Sequence, residues 1–182
     1  MLKYIVYRTK TEFTKKYAEL LAAKFRLPCL SYEEATEKIS HGESILYMAG
    51  IRASKLYDIK KAMRRYNIEA VIGVGMSASS EQYKKEIIES NLLNQMPFFY
   101  LRGGTAPEKL KGFDKLLFST IANMTKKSKQ KDNKKISDED KKLVDAFFTG
   151  VDYVDADNLK PIIDWYSSYL IIQDMIGKKY KK

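Results

Sequence analysis

The chain has 182 residues, of which 45% are apolar and 31% charged, and its formal net charge is +10. The apolar fraction excludes a chain that is disordered throughout, and the single cysteine excludes a disulfide scaffold. No segment approaches the roughly 18 consecutive apolar residues of a membrane-spanning helix, and residues 1–8 lack the apolar stretch of a signal peptide. We therefore expect a soluble, cytoplasmic protein with one domain over residues 1–182.

Most of the excess positive charge lies in two segments. Residues 126–142 carry eight lysines against four acidic residues, and residues 178–182 carry four lysines. Proteins that read nucleic acid usually spread positive charge over a folded face, so we expect no specific nucleic acid partner. Two interpretations stay open: the lysines are simply solvated, or they attract an acidic partner or an anionic membrane as a peripheral contact.

Five segments have the composition of β-strands, at 2–7, 28–30, 44–49, 69–76 and 97–101. Helical patterns follow each of the first four. These patterns are marked by Phe13, Tyr17, Leu20 and Leu21; by the capping-box pair Ser31 and Glu34; by Leu56, Ile59, Met63 and Tyr66; and by Ser79 and Gln82 before Tyr83, Ile87 and Ile88. The alternation predicts an α/β fold with a parallel sheet and helices on both faces.

After the fifth strand the alternation ends, and residues 105–176 are predicted to form a helical extension. Its three helices are predicted to begin at Thr105, at Ser137 and near Asp157, the last presenting Leu159, Ile162, Ile163, Tyr166 and Leu170. The Lys-rich stretch between the first two predicts a mobile loop over 126–136. Their apolar stripes either pack on the sheet as core or stay partly exposed as a docking surface.

The usual catalytic and metal-binding patterns are missing from the sequence. His41 is the only histidine, so a Ser/His or Cys/His pair would depend on it alone. Cys29 has no C-x-x-C partner, and we expect it to be a small buried side chain. Asp152, Asp155 and Asp157 lack the glycine and glutamate of a calcium loop, and helix capping explains Asp157 better. We therefore predict no catalytic side chain and no metal site.

The turn after the first strand, residues 9–14, has the sequence Thr-Lys-Thr-Glu-Phe-Thr. It places three hydroxyls and a lysine where a strand leads into a helix. Unpaired backbone N–H groups and the positive end of the helix favour phosphate at such a junction. Threonine is also an ordinary N-cap residue, so the residues alone leave capping and phosphate binding both open.

This turn resembles the phosphate loop of the flavodoxin-domain proteins, Thr/Ser-x-Thr-Gly-x-Thr. The resemblance continues through residues 48–55, 73–83, 98–104, 113–117 and 150–153. It is greatest to the branch that contains the menaquinone-dependent protoporphyrinogen dehydrogenases. It implies a flavodoxin-like, doubly wound sheet of five parallel strands in order 2-1-3-4-5, which binds FMN where the strand order reverses.

The resemblance also implies a redox function and particular site residues. The function would be FMN-dependent electron transfer with a redox partner protein or a quinone, one form being an oxidoreductase of the protoporphyrinogen-dehydrogenase type. The phosphate loop would comprise Thr9, Lys10, Thr11, Glu12, Phe13 and Thr14. One side of the isoalloxazine ring would be lined by Ala49, Gly50, Ile51, Arg52 and Ala53, and the other by Gly75, Met76 and Ser77.

Two positions depart from the family pattern. Glu12 replaces the glycine of the phosphate loop, where a carboxylate repels phosphate and a positive φ strains the backbone. Arg52 stands where relatives often carry an aromatic residue; near the flavin it would raise the reduction potential, whereas pointing outward it would be a surface charge. Glu12 therefore supports an alternative, a flavodoxin-fold binding or regulatory module that has lost FMN.

Overall fold

The computed structural model describes residues 1–106 and 149–179. The chain divides into two compact units, one formed by Met1–Gly103 with Val154–Lys182 and the other by Gly104–Tyr153. The predicted loop over 126–136 lies outside the described residues, as does almost all of the two helices predicted on either side of it. The expectation of one domain over residues 1–182 stays a prediction.

A six-stranded sheet forms the centre of the first unit. Its strands are β1 Tyr4–Arg8, β2 Cys29–Ser31, β3 Ser44–Arg52, β4 Lys55–Leu56, β5 Asn67–Gly75 and β6 Phe98–Arg102. Five of them are parallel in the order β2-β1-β3-β5-β6, and the short β4 pairs antiparallel with the end of β3. With β4 set aside this is the order 2-1-3-4-5, so the predicted doubly wound parallel sheet is confirmed.

Helices cover both faces of this sheet. The described helices of the unit are α1 Phe13–Phe25, α2 Tyr32–Lys38, α3 Ile59–Arg65, α4 Glu81–Asn91, a 3-10 helix Ala156–Leu159 and α5 Lys160–Lys179. Residues of α2, α3 and α4 share one buried cluster with alternate residues of the strands. On the opposite face, Tyr166 of α5 stacks on Phe25 of α1 with ring centres 3.9 Å apart, and Trp165 lies 6.0 Å from Phe99 of β6.

Hydrogen bonds at two points fix the direction of α5. Near its start, the Asn158 amide donates to the Tyr17 hydroxyl at 3.0 Å, and that hydroxyl donates to the carbonyl of Arg102 at the end of β6. Further along, the Tyr169 hydroxyl accepts a bond from the N–H of Leu2, just before β1, at 2.8 Å. The helix therefore runs from the carboxyl edge of the sheet to its amino edge.

The third strand is longer than the sequence pattern predicts. It was expected to end at position 49, before Gly50, but it continues to Arg52 and folds back through β4, with Ile51 opposite Leu56. Leu56, expected on a helix, is therefore a strand residue, and α3 begins only at Ile59. The antiparallel pairing satisfies the backbone beyond Gly50, which is why this glycine does not end the strand.

Two of the predicted helix caps are wrong by one or two residues. Ser80, and not Ser79, caps α4 by accepting the N–H of Tyr83 at 3.1 Å. Asp155, and not Asp157, caps the 3-10 helix by accepting the N–H of Asp157 at 2.9 Å. Each lies beside other residues that can cap, so composition alone does not choose among them. The capping box of Ser31 and Glu34 is confirmed.

Two leucines expected on buried faces are exposed. Leu20 is 41% exposed because the buried face of α1 is formed by residues spaced four apart, Phe13, Tyr17 and Leu21, and Leu20 lies beside that face. Leu170 is 38% exposed because Tyr169 takes the buried position beside Leu2. Each leucine lies one position from a buried residue of its helix, and one position along a helix rotates the side chain by about 100° around the axis.

The cysteine expected to be buried is only partly so. Cys29 lies in β2 with intermediate exposure, because this strand is at the edge of the sheet. Even this burial raises the pKa of the Cys29 thiol to about 11, with nearby carboxylates adding to the effect. The thiol is therefore protonated at neutral pH.

In the second unit the described residues form a small antiparallel pair. Strand β7, Gly104–Thr105, pairs with β8, Val151–Asp152. The hydroxyl of Thr105 accepts a bond from the N–H of Val151 at 3.1 Å. Thr105 was expected to cap a helix; the residues of that helix lie outside the described part of the chain, so this cap stays a prediction.

Candidate functional site

The candidate site lies at the carboxyl edge of the large sheet. From β1 the chain moves to one side to form β2 and then returns to form β3 on the other side of β1. The strand order therefore reverses between β1 and β3, which is where parallel α/β sheets bind ligands. Three segments meet this edge: the β1–α1 loop, the β3–β4 hairpin and the stretch that follows β5.

The β1–α1 loop leads into α1, and the side chain of the N-cap residue Glu12 makes no capping bond. Glu12 precedes α1 with φ 71° and ψ −15°, and its N–H donates to Oγ1 of Thr9 at 3.1 Å. The carbonyl of Glu12 accepts the first bond of the helix, from the N–H of Lys16 at 3.0 Å. The amides of the first turn have no acceptor within the helix, so they can bind an anion.

Glu12 adopts the backbone conformation that glycine adopts freely. A residue with a Cβ costs about 1–2 kcal/mol in this left-handed region. The loop therefore keeps the shape of a glycine-containing turn while carrying a strained glutamate whose side chain makes no capping bond.

Packing contacts join the β1–α1 loop to the end of β3, and they involve Lys10, Thr14, Gly50 and Tyr57. A Cβ on Gly50 would lie 3.0 Å from Cε2 of Tyr57 and 3.7 Å from Oγ1 of Thr14. The ammonium of Lys10 lies 5.0 Å from the centre of the Tyr57 ring, and the Tyr57 carbonyl accepts a bond from the Tyr47 hydroxyl at 2.8 Å. Position 50 thus needs glycine so that the Tyr57 ring can approach the strand.

A charged network fixes the end of β1. Arg8 donates to the carboxylate of Asp58 at 2.9 Å and also pairs with Glu33. Lys61 lies 2.8 Å from the same aspartate. The hydrogen bond from Lys61 lowers the pKa of Asp58, and the charge of Arg8 adds to this effect. The residue that leads into the β1–α1 loop is therefore tied to the start of α3.

The β3–β4 hairpin turns through two residues with positive φ, Ala53 at 45° and Ser54 at 59°. Such a pair is typical of a tight two-residue hairpin. Asn91 of α4, which is 2% exposed, holds the turn: its amide donates to the carbonyls of Ser54 and Ile87 at 2.7 Å, and its oxygen accepts the N–H of Leu56 at 3.0 Å. The hairpin, which carries Arg52, is thus fixed on α4.

Residues near the end of β6 hold all three carbonyls of residues 75–77. Gly75 accepts from the N–H of Gly103 at 2.7 Å, Met76 from Nε of Arg102 at 3.2 Å, and Ser77 from the Tyr100 hydroxyl at 2.6 Å. In a trans peptide the carbonyl and the next N–H point in opposite directions. The N–H groups that follow these carbonyls therefore point away from their β6 partners.

The predicted site residues differ in whether their side chains are exposed or buried in the core. The six residues of the predicted phosphate loop are together, but Phe13 is 6% exposed and packs beside Gly103, so its side chain belongs to the core. Ala49 is fully buried, and the side chain of Ile51 reaches over Gly73. Thr14 is also buried, at 2% exposure, whereas Ile51 is partly exposed and Arg52 and Ala53 lie at the hairpin end.

Sequence reasoning missed three residues that shape the site, Tyr57, Asn91 and Tyr100. Asn91 had one signal, since it lies four positions after Ile87 on the buried face of a predicted helix, where an amide needs bonding partners. Tyr57 and Tyr100 carried no signal of their own, because their partners are distant in the chain. The described residues contain no group of three or more potential metal ligands.

Comparison with known proteins identifies a family for this chain. A family model described as the flavodoxin domain matches residues 4–132, a range that includes all three segments of the candidate site. No curated protein and no solved structure matches the chain significantly.

Proposed function

The chain belongs to the flavodoxin-domain family, and from this premise we propose that it binds FMN non-covalently at the carboxyl edge and transfers electrons. The observation that carries the proposal is the left-handed conformation of Glu12, whose side chain does not cap α1, at the point where the strand order reverses. Glycine adopts this conformation freely, and the N-terminus of the helix that follows favours an anion.

The β1–α1 loop fits a phosphate group. The first-turn amides of α1 and the hydroxyls of Thr9 and Thr11, which are partly exposed, would hold the phosphate, with the charge of Lys10 beside it. The oxygen of Thr9 accepts the N–H of Glu12, and this leaves its hydroxyl hydrogen to donate to a ligand. Two hydroxyls and one lysine at a helix N-terminus supply hydrogen-bond donors and positive charge for the oxygens of a phosphate.

The other two segments fit the edges of a flat ring. The amides that follow the carbonyls of residues 75–77 can donate to ring acceptors, because the carbonyls themselves are fixed by β6. Arg52 at the end of β3 would hold positive charge near the ring and raise its reduction potential. Bound FMN would supply the redox chemistry, and the side chains would bind, orient and tune it.

A second candidate function, a module that has lost FMN, is favoured by Glu12. A carboxylate next to the N-terminus of α1 interacts favourably with the helix dipole. The carboxylate of Glu12 would therefore be the anion at this site in place of a phosphate, and its negative charge would repel one. The two functions make opposite predictions for the affinity of the protein for FMN.

Purified protein decides between them. The FMN function predicts a yellow protein whose flavin absorption is released on denaturation, and an apoprotein that takes up FMN at concentrations below about 0.1 mM. Thr11→Ala should weaken this binding by about 1 kcal/mol, whereas Thr36→Ala on α2 should not change it. A colourless protein that takes up no FMN in this range would contradict the FMN function and favour the module.

The specific reaction that we propose is protoporphyrinogen dehydrogenation, with a quinone or a redox protein as the electron acceptor. Its support is the resemblance of residues 48–55, 73–83 and 98–104 to that branch of the family. The FMN-loaded protein should convert protoporphyrinogen to fluorescent protoporphyrin in the absence of oxygen when a quinone is added. FMN binding without this conversion would contradict the specific reaction and leave the electron-transfer function intact.

A further inference from the structure

The C-terminal half of α5 carries an apolar face that the rest of the described chain leaves exposed. Ile171, Ile172, Met175 and Ile176 are between 46% and 65% exposed, and we call these four residues the tail face. They form two pairs at a spacing of four, so they line one side of the helix. The buried side of α5 is formed instead by Ile162 and Tyr169.

The tail face lies at the amino edge of the sheet. Tyr169 is anchored to Leu2 at this edge, and α5 continues in the same direction to Lys179. A helix of this length beyond Tyr169 extends for about 15 Å. The β1–α1 loop lies at the opposite end of β1. The two surfaces therefore belong to opposite edges of the sheet.

Positive charge accompanies the tail face. Four lysines, at positions 178, 179, 181 and 182, follow it in the sequence, against the single acidic residue Asp174. Lys178 and Asp174 form an ion pair on the helix, with Nζ and Oδ2 2.6 Å apart. An exposed apolar stripe next to a lysine cluster is typical of helices that lie on anionic membrane surfaces.

We propose that the C-terminal half of α5 docks on an anionic lipid bilayer, with the tail face in the headgroup–acyl boundary and Lys178 and Lys179 on the headgroups. No helix among the described residues is long and apolar enough to cross a membrane. In this proposal the helix lies along the surface. The negative headgroups complement the lysines, whereas a second copy of the chain would bring the same positive charge to the tail face. The proposal does not depend on FMN binding.

The full chain can be tested by flotation with vesicles of phosphatidylcholine alone and of phosphatidylcholine with about one quarter phosphatidylglycerol. We expect binding to the anionic vesicles that weakens as salt rises. Ile172→Gln with Met175→Gln should reduce the partition coefficient at least about tenfold, because the tail face supplies the apolar contact. Lys178→Gln with Lys179→Gln should reduce it about tenfold or more.

The matched control is Lys84→Gln with Lys85→Gln, which removes the same charge from α4, where both lysines also pair with glutamates. It should change binding by less than about threefold. Absence of binding at low salt, or full binding by the Ile172/Met175 variant, would overturn the proposal. Sedimentation velocity without lipid tests whether a second copy of the chain occupies the tail face. A dimer that forms in the unmodified protein and is lost in the Ile172/Met175 variant would assign the tail face to a second copy and would also overturn the proposal. The substituted residues are exposed except for Lys84, whose side chain is partly buried, and circular dichroism will show that the variants are folded.

Discussion

The backbone N–H of Glu12 donates a hydrogen bond to Oγ1 of Thr9 at 3.1 Å, and Glu12 has a φ of 71°. This bond closes the β1–α1 loop and directs the chain into α1 without a side-chain cap. The same residue is both strained and negatively charged at the site that we assign to a phosphate. Its two effects can be separated by substitution.

Glu12→Gly should stabilise the protein by about 1 kcal/mol, since it relieves the left-handed strain, and should raise FMN affinity because the charge is lost. Glu12→Gln removes the charge and keeps the strain, so it should raise FMN affinity about tenfold without stabilising the fold. Thermal unfolding and fluorescence titration with FMN measure the two effects.

Arg26 provides the matched control for Glu12. It also has a positive φ, 55°, but it lies at the other end of α1. Arg26→Gly should stabilise the fold by a similar amount, about 1 kcal/mol, and leave FMN affinity unchanged. Equal FMN affinity in the Glu12→Gly, Glu12→Gln and unmodified proteins would show that Glu12 does not face the phosphate. A protein that binds FMN only as Glu12→Gly would favour the module that has lost FMN.

Tyr100→Phe should lower FMN affinity by loosening residues 75–77. The substitution removes the bond from the Tyr100 hydroxyl to the carbonyl of Ser77 and should cost about 1 kcal/mol of stability. Tyr169→Phe removes a bond of similar length, to the N–H of Leu2, at the amino edge. It should cost a similar stability and leave FMN affinity unchanged. If both variants lose FMN equally, the effect is one of general stability and the assigned role of residues 75–77 is wrong.

Asn91→Ala should destabilise the protein by about 2–3 kcal/mol, because it leaves the N–H of Leu56 and the carbonyl of Ser54 without their partner in a buried place. Urea unfolding measures this loss. Asn67→Ala, whose amide bonds are at the surface, should cost less than about 0.5 kcal/mol. Similar losses in the two variants would show that the Asn91 bonds do not hold the hairpin.

Asp58 should contribute a pH-dependent part of the stability. Its pKa in the folded protein is lowered, chiefly by the hydrogen bond from Lys61 and then by the charges of Lys61 and Arg8. Between the folded and the unfolded pKa the unfolded chain binds more protons, so stability rises with pH there. The contribution is present above about pH 4 and is lost as the pH falls through the lowered value.

Asp58→Asn isolates this contribution, since asparagine tolerates the positive φ of 52° at this position. The variant should be less stable than the unmodified protein at pH 7, and the difference should shrink at about pH 3. Chemical denaturation at the two pH values measures it. A difference that is constant with pH would mean that the lost stability does not arise from the charge of Asp58.

The sequence by itself determined those features that depend on neighbours within one or two turns of the chain. Alternating strands and helices predicted the parallel sheet with helices on both faces, and the spacing of Ser31 and Glu34 predicted their capping box. The strand order and the position of the site were implied by the resemblance of the Thr-Lys-Thr turn to the phosphate loop of the flavodoxin-domain proteins. Glu12 was also identified from sequence as a residue that a positive φ would strain. Periodicity and capping act through local backbone geometry, so they can be read locally.

Only the tertiary structure decided how the edges of the site are held. The fold-back of β3 onto β4 depends on Asn91, and the carbonyl of Ser77 is fixed by Tyr100 on the next strand. The side chains of Phe13 and Ala49, predicted at the site, turned out to be buried in the core. Each of these outcomes depends on a contact between residues far apart in the chain. Such a contact exists only once the sheet has formed, because the strands bring together groups that no local pattern relates.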